Sequence, residues 1–325
     1  MNKILLERNK NNPILLPDES NWWESKAAFN CGVLCCDERI HMLYRAIGEY
    51  EKYVSRIGYA SSPDGIWFDR FKEPAMAPEE DYEKYGIEDP RLVEIDRQIF
   101  LSYVILSDYV SEGPTASTAL ATTTDFKNYT RLGIITSKGS DNKDVVLFPE
   151  KTSNAEKKSG NTNYLFLHRP SSWVGSKFGV DRPSIWLGEG NALTKFEKHT
   201  LLLKPEQEWE ASKIGAGPPP VKTKDGWLLI YHGKDTRAVY RAGAALLDLK
   251  DPTEVLGRTK KPILEPSETY EKNGDVNNVV FPTGACIMDG TLFVYYGAAD
   301  KVCCLATINL ESLLDYILND SHSSC

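Results

Sequence analysis

Arg45, Arg169 and His232 each hold the third place of a short motif that recurs along this chain, and each can carry positive charge toward an anion. The copies are Leu43-Tyr44-Arg45-Ala46, Ser102-Tyr103-Val104-Ile105, Leu167-His168-Arg169-Pro170, Ile230-Tyr231-His232-Gly233 and Val294-Tyr295-Tyr296-Gly297. Cation-capable groups at equivalent places of a repeat meet if the units surround an axis; taken singly, each arginine could instead bridge neighbouring units. A second cluster is Gly86-Ile87-Glu88-Asp89-Pro90-Arg91. Its proline holds Asp89 extended or in a turn, next to a channel mouth if a strand starts at Leu92. The plainer alternative is an Asp-Pro turn with an Arg91 ion pair. Lys213 stands ahead of Gly215-Ala216-Gly217-Pro218-Pro219-Pro220, a loop that is flexible at its glycines and stiff at its prolines. It could bind an anion or be a solvated lysine on a connecting loop; the order of a P-loop is absent. Asn142-Lys143-Asp144 precedes an apolar strand, Asn30 follows Ala27-Ala28-Phe29, and Asp300 ends Tyr296-Gly297-Ala298-Ala299. An amide and carboxylates of this kind suit the hydroxyls of a sugar.

The second places of the five motifs fall at 44, 103, 168, 231 and 295, in steps of 59, 65, 63 and 64. So constant an interval means one supersecondary unit reused. Each copy ends a run too short for a helix and rich in β-branched and aromatic residues, such as Trp227-Leu228-Leu229-Ile230-Tyr231. A second strand follows in most units, as in Ala242 to Leu247, and often a third, as in Ile66-Trp67-Phe68 or His199 to Leu203. About sixty residues in three or four short antiparallel strands is the size of a propeller blade. The fold class expected is therefore all-β, a five-bladed β-propeller over residues 1–325 as one domain, with a short helix at Leu310 to Leu318. The motif strands are expected innermost, lining the channel. Lys151 to Asn163 reads as a solvated hairpin loop, and Asn319 to Cys325 as a frayed tail.

Net charge of −8 and a pI of about 5.3 argue against nucleic-acid or anionic-membrane partners, so each local cation needs its own explanation. The apolar run at Ile4-Leu5-Leu6 is too short for a secretory segment, and nothing approaches a membrane span. The seven cysteines (Cys31, Cys35, Cys36, Cys286, Cys303, Cys304 and Cys325) include two adjacent pairs and an odd one, which suits neither a disulfide framework nor a metal site. Reduced, mostly buried thiols in a cytoplasmic protein are expected. Self-association is left open by the residues.

Taken in order, these motifs resemble those of glycoside hydrolase family 130, the β-mannoside phosphorylases and related β-mannosidases. The resemblance runs from about Asn12 to Tyr316. It is carried by Phe29-Asn30, Tyr44-Arg45-Ala46, Ser61 to Gly65, Gly86 to Arg91, Leu147 to Glu150, His168-Arg169-Pro170, Lys213 to Pro219, Tyr231-His232-Gly233 and Val279 to Gly284. It implies a five-bladed propeller and inverting phosphorolysis of a β-mannoside to α-D-mannose 1-phosphate, with a lean toward β-1,2-mannobiose or short β-1,2-mannan. Asp89 matches the family's lone catalytic acid, which protonates the leaving group through the sugar 3-hydroxyl. Asn30, Arg45, Glu88 and Asp300 are implied at the mannose. Lys143, Arg169, Lys213, His232 and Tyr240 are implied at the phosphate, where cations hold the nucleophile. Inorganic phosphate is then a co-substrate, and no metal or organic cofactor is implied. One departure stands out: some family members carry arginine and asparagine where this chain has Lys143 and Asp144, and an aspartate there is expected to turn away from the anion. The rival readings are an inverting β-mannosidase on the same fold and a non-catalytic carbohydrate-binding propeller.

Overall fold

Short runs of aliphatic, aromatic and small residues pair antiparallel into five sheets. The structure, a computed structural model, describes residues 4–110, 113–137, 141–153 and 162–322. From the inside outward, the first blade is Ala27–Cys36, Arg39–Ile47, Arg56–Ser62 and Asp69–Arg70. The second is Ile87–Ile95, Gln98–Val110, Gly113–Thr123 and Thr130–Ile134. The third is Asn142–Leu147, Thr162–Pro170, Ile185–Gly190 and Lys198–Leu203, with Thr152–Ser153 alongside. The fourth is Lys213–Ala216, Trp227–Lys234, Tyr240–Leu247 and Val255–Arg258, with Val221–Lys222 alongside. The fifth is Val280–Met288, Thr291–Ala298 and Val302–Asn309, and its outermost strand is the N-terminal Glu7–Arg8. The chain is a five-bladed β-propeller closed by pairing its start with its last blade. Closure leaves no blade with a missing edge strand.

Two expectations need correction. The motif strands are second in each blade, not innermost. The strands at the axis are those before them, and they are tied across it: Thr283 Oγ1 donates to Cys31 O (3.0 Å) and Arg91 Nε to Gly217 O (2.7 Å). The outer strand expected at Ile66-Trp67-Phe68 forms only at Asp69–Arg70. Asp64 Oδ1 accepts the N–H groups of Ile66 (2.9 Å) and Trp67 (3.0 Å), and that side-chain turn competes with sheet pairing. Within Lys151 to Asn163, Thr152–Ser153 is strand; residues 154–161 lie outside the described residues. The helix runs Leu310–His322, past the expected end. Its Leu313, Leu314 and Ile317 are buried against Leu228 and Leu246 of the fourth blade and Leu292 of the fifth.

Apolar packing lies between blades. Leu43 and Ile57 pack with Leu101 and Ile105, Leu165 and Ile185 with Leu229 and Ala245, and Met42 with Tyr295 and Leu305. No blade can bury its faces alone. Under this core runs a second repeat, invisible in the hydrophobic pattern. Glu24, Glu83, Glu210 and Glu271 are each fully buried. Each accepts the hydroxyl of a blade tyrosine: Tyr44, Tyr103, Tyr231 and Tyr296 respectively, at 2.7, 2.7, 2.7 and 2.8 Å. Each also pairs with an arginine of that blade's outermost strand: Arg70, Arg131, Arg258 and Arg8, at 3.0, 3.0, 2.8 and 2.8 Å. A buried carboxylate survives only when paired and fully hydrogen-bonded, so the clamp pins the second and outermost strands to the turn before the innermost one. In the third blade His168 replaces the tyrosine, with Asn142 (2.9 Å) and His199 (3.1 Å) as partners.

Candidate active site

Three innermost strands break their ladder at the same place. The register shifts between Phe29 and Gly32, between Glu88 and Arg91, and between Lys143 and Val146. The first residue of each bulge is left-handed: Asn30 at φ 51°, Asp89 at 49° and Asp144 at 60°. Asparagine and aspartate tolerate that region better than other non-glycine residues, and a bulge re-aims its side chain out of the strand pattern. Asp300, at φ 50°, follows Ala299 at 48° in the turn beyond Thr291–Ala298. Gly297 leaves room for the Asn30 amide, since a methyl group there would sit 2.0 Å from Asn30 Oδ1.

These devices open on one cavity of about 330 Å³, within the range of small-ligand sites (roughly 300–1,000 Å³). Asn30, Arg45, Glu88, Asp89 and Asp300 line it. So do Lys143, Arg169, Lys213, His232 and Tyr240. The structure therefore brings all ten sequence candidates together.

The first set is knit around Arg45. Its guanidinium donates to Glu88 and lies 3.6 Å from Asp89 Oδ1, while Asn30 Nδ2 donates to the same oxygen at 2.8 Å. Arg45 also lies over the Phe29 ring at 4.9 Å and the Tyr53 ring at 5.7 Å. Burial pushes the Glu88 carboxyl above its ordinary value, with Asp89 adding to the push and Arg45 opposing it. Burial likewise raises Asp300 to about 7, with Arg45 opposing and Asp89, Asp275 and Glu88 reinforcing. Among the described residues Arg91 makes no side-chain ion pair; it donates to the main-chain oxygens of Asp89 (3.0 Å), Pro90 (3.3 Å) and Gly217. It is a buried brace beneath Asp89.

The second set is cationic with one anion inside it. Asp144 does not turn away: its Oδ2 accepts Arg169 Nε at 2.7 Å and lies 3.5 Å from His232 Nε2. Burial alone would raise this carboxyl; Arg169 first, then its other cationic neighbours, hold it well below the usual range. Lys213 is lowered to about 7 by burial and by the nearby charges of Arg169 and Lys143. Burial also lowers His232 to about 3, so the expectation of a fourth cation is corrected: the ring is neutral at pH 7. Lys213 and Lys234 lie over the Tyr240 ring at 5.6 and 5.4 Å. Reading the sequence missed Lys234, Phe281 and the rim residue Val276, which also line the cavity. The equal spacing of Asn30 and Asp89 before the first two motif strands was the available signal for the bulges.

A family model described as Glyco_hydro_130, beta-1,4-mannooligosaccharide phosphorylase, matches residues 6–319. The chain is 40% identical over 316 residues to a 1,2-beta-oligomannan phosphorylase of Thermoanaerobacter sp. (strain X514), covering 95% of this chain and 99% of that one. It is 38% identical over 322 residues to a beta-1,2-mannobiose phosphorylase of the same organism, covering 95% and 98%. The solved structure of a beta-1,2-mannobiose phosphorylase from Listeria innocua in complex with beta-1,2-mannobiose superposes with a TM-score of 0.83 at 31% identity, covering 96% of this chain and 99% of that chain. The chain belongs to glycoside hydrolase family 130.

Proposed function

We propose that this enzyme catalyses inverting phosphorolysis of a β-mannoside, β-1,2-mannobiose or a short β-1,2-mannan, giving α-D-mannose 1-phosphate. One observation carries the reading. A single cavity joins an acid, Asp89, held by Asn30 and Arg45, to a wall built from Lys143, Arg169 and Lys213. Phosphate is its own nucleophile, so the protein has to supply charge and alignment and not a general base. An inverting hydrolase needs a second carboxylate to activate water. The carboxylate on the cationic wall, Asp144, is bound to Arg169 and its basicity is suppressed, which suits that task poorly.

In this reading the mannose sits against Asn30, Arg45, Glu88 and Asp300. Asp89 supplies the leaving-group proton by way of the sugar 3-hydroxyl, and phosphate attacks C1 from the opposite wall. The β-1,2 linkage is supported by the names of the similar relatives. Inorganic phosphate is the co-substrate, and the reading calls for no other cofactor. The free, largely buried thiols support a cytoplasmic setting. The test is incubation with β-1,2-mannobiose with and without phosphate. Mannose 1-phosphate should form only with phosphate, and Asp89→Asn should remove nearly all turnover. Free mannose released at an equal rate in phosphate-free buffer would instead make the enzyme a hydrolase.

A further inference from the structure

The cationic wall also holds a group that accepts hydrogen bonds, Asp144, with a neutral imidazole, His232, beside it. Asp144 is 4% exposed and lines the cavity, and a carboxylate held below its usual range can only accept. His232 is 1% exposed and lines the same cavity. A neutral imidazole carries one ring proton, and the Nε2 facing Asp144 Oδ2 is where it is best placed. Nδ1 is then the lone-pair nitrogen. It is buried and has no hydrogen-bond partner among the described residues. Gly215 makes the arrangement possible. It pairs across the ladder with His232, and a methyl group at Gly215 would stand 2.2 Å from Asp144 Oδ2 and 2.7 Å from His232 Nε2. The sheet has thus been left bare at the one point where the carboxylate reaches the ring.

An anion site with an inward acceptor discriminates among anions of the same shape. Sulfate at neutral pH has no proton to give, so its oxygens would face the Asp144 carboxylate with nothing between them. Hydrogen phosphate and hydrogen arsenate carry a hydroxyl that can donate. We propose that Asp144, with His232 positioned by it, reads the proton on the oxyanion, so that the site takes hydrogen phosphate or arsenate and turns sulfate away. Lys143, Arg169 and Lys213 supply the attraction common to all these anions; the carboxylate supplies the choice. This rests on the reading of the wall as the phosphate site.

The experiment titrates the intact enzyme calorimetrically with sodium phosphate and, separately, sodium sulfate, and measures sulfate inhibition of phosphorolysis. Wild type should bind phosphate about tenfold or more tighter than sulfate, the scale of leaving a buried acceptor without a donor. Asp144→Asn offers an N–H in place of an oxygen at nearly the same shape. It should bring the two affinities together, mostly by tightening sulfate. A purely structural role would weaken both anions alike and leave their ratio unchanged, which would overturn the proposal. Equal affinities in wild type would overturn it without recourse to any variant. Equal affinities with normal mannose 1-phosphate formation would end this inference alone, whereas no phosphate binding at all would end the reading of the site as well.

Discussion

Lys213 is the residue whose chemistry the fold alters in the most testable way. Burial and the neighbouring guanidinium and ammonium groups lower it to about 7. A lysine is charged below its pKa, so its pull on phosphate is present in mild acid and fades as pH rises through about 7. The KM for phosphate should therefore climb with pH across roughly pH 6 to 9, more steeply than titration of phosphate itself requires. Lys213→Ala should raise that KM about tenfold or more at the acid end and flatten the climb, with little change in KM for the mannoside. An unaltered profile in the variant would remove Lys213 from the anion site. Asp300 is the counterpart at the sugar. Held near 7, it is largely a neutral acid below that pH and a carboxylate above it, so it can donate to a hydroxyl in one range and only accept in the other.

The element that repeats with the least sequence signal is the carboxylate clamp. In the second blade Glu83 takes Tyr103 and Arg131 and also the N–H groups of Glu79 (3.0 Å) and Glu80 (3.3 Å). Burial would raise this carboxyl; those donors outweigh burial and lower it. Its contribution to stability is therefore full above the unfolded-state pKa and lost as acid titrates the folded one. Tyr103→Phe deletes one bond to a buried charge and should cost about 1–3 kcal/mol, read from the midpoint of urea unfolding, with kcat preserved. No change in midpoint would mean that the arginine and backbone donors satisfy the carboxylate unaided. The bulges are the other consequential elements. In the first three blades they turn one residue of the inner strand off the alternating pattern, and that residue lines the cavity.

At the scale of the whole molecule, the N-terminal segment closes the ring against the last blade. Glu7 and Arg8 pair with Thr307 and Ala306, and Arg8 reaches Glu271 through Nε at 2.8 Å and Nη2 at 2.9 Å. The outer clamp strand of the fifth blade is thus borrowed from the other end of the chain. Arg8→Ala leaves Glu271 buried without its cation and should lower stability by about 2–4 kcal/mol, toward the range for breaking a buried pair. Hydrogen exchange should quicken first in Val302–Asn309, the strand that Glu7–Arg8 covers. Loss of stability without that local signature would argue against a latch. Closure also matters for the site: Asn30 and Asp300 come from the first and fifth blades, which meet only in the closed ring.

The amino-acid sequence by itself determined the blade count, and with its family resemblance it named the ten cavity residues. A repeat of near-constant length needs repeated units, and site motifs keep their residue types because the chemistry depends on them. It did not reveal which strand of each blade lies innermost, because second and first strands are equally apolar when both are buried. Nor did it reveal that His232 is neutral or that Asp144 faces the anion wall. Both follow from distances and burial set by residues from different blades: Arg169 and Lys213 around His232, and a missing side chain at Gly215 beside Asp144. Residue type can be read along a line, but the charge state of a buried group belongs to the three-dimensional neighbourhood that desolvates and pairs it.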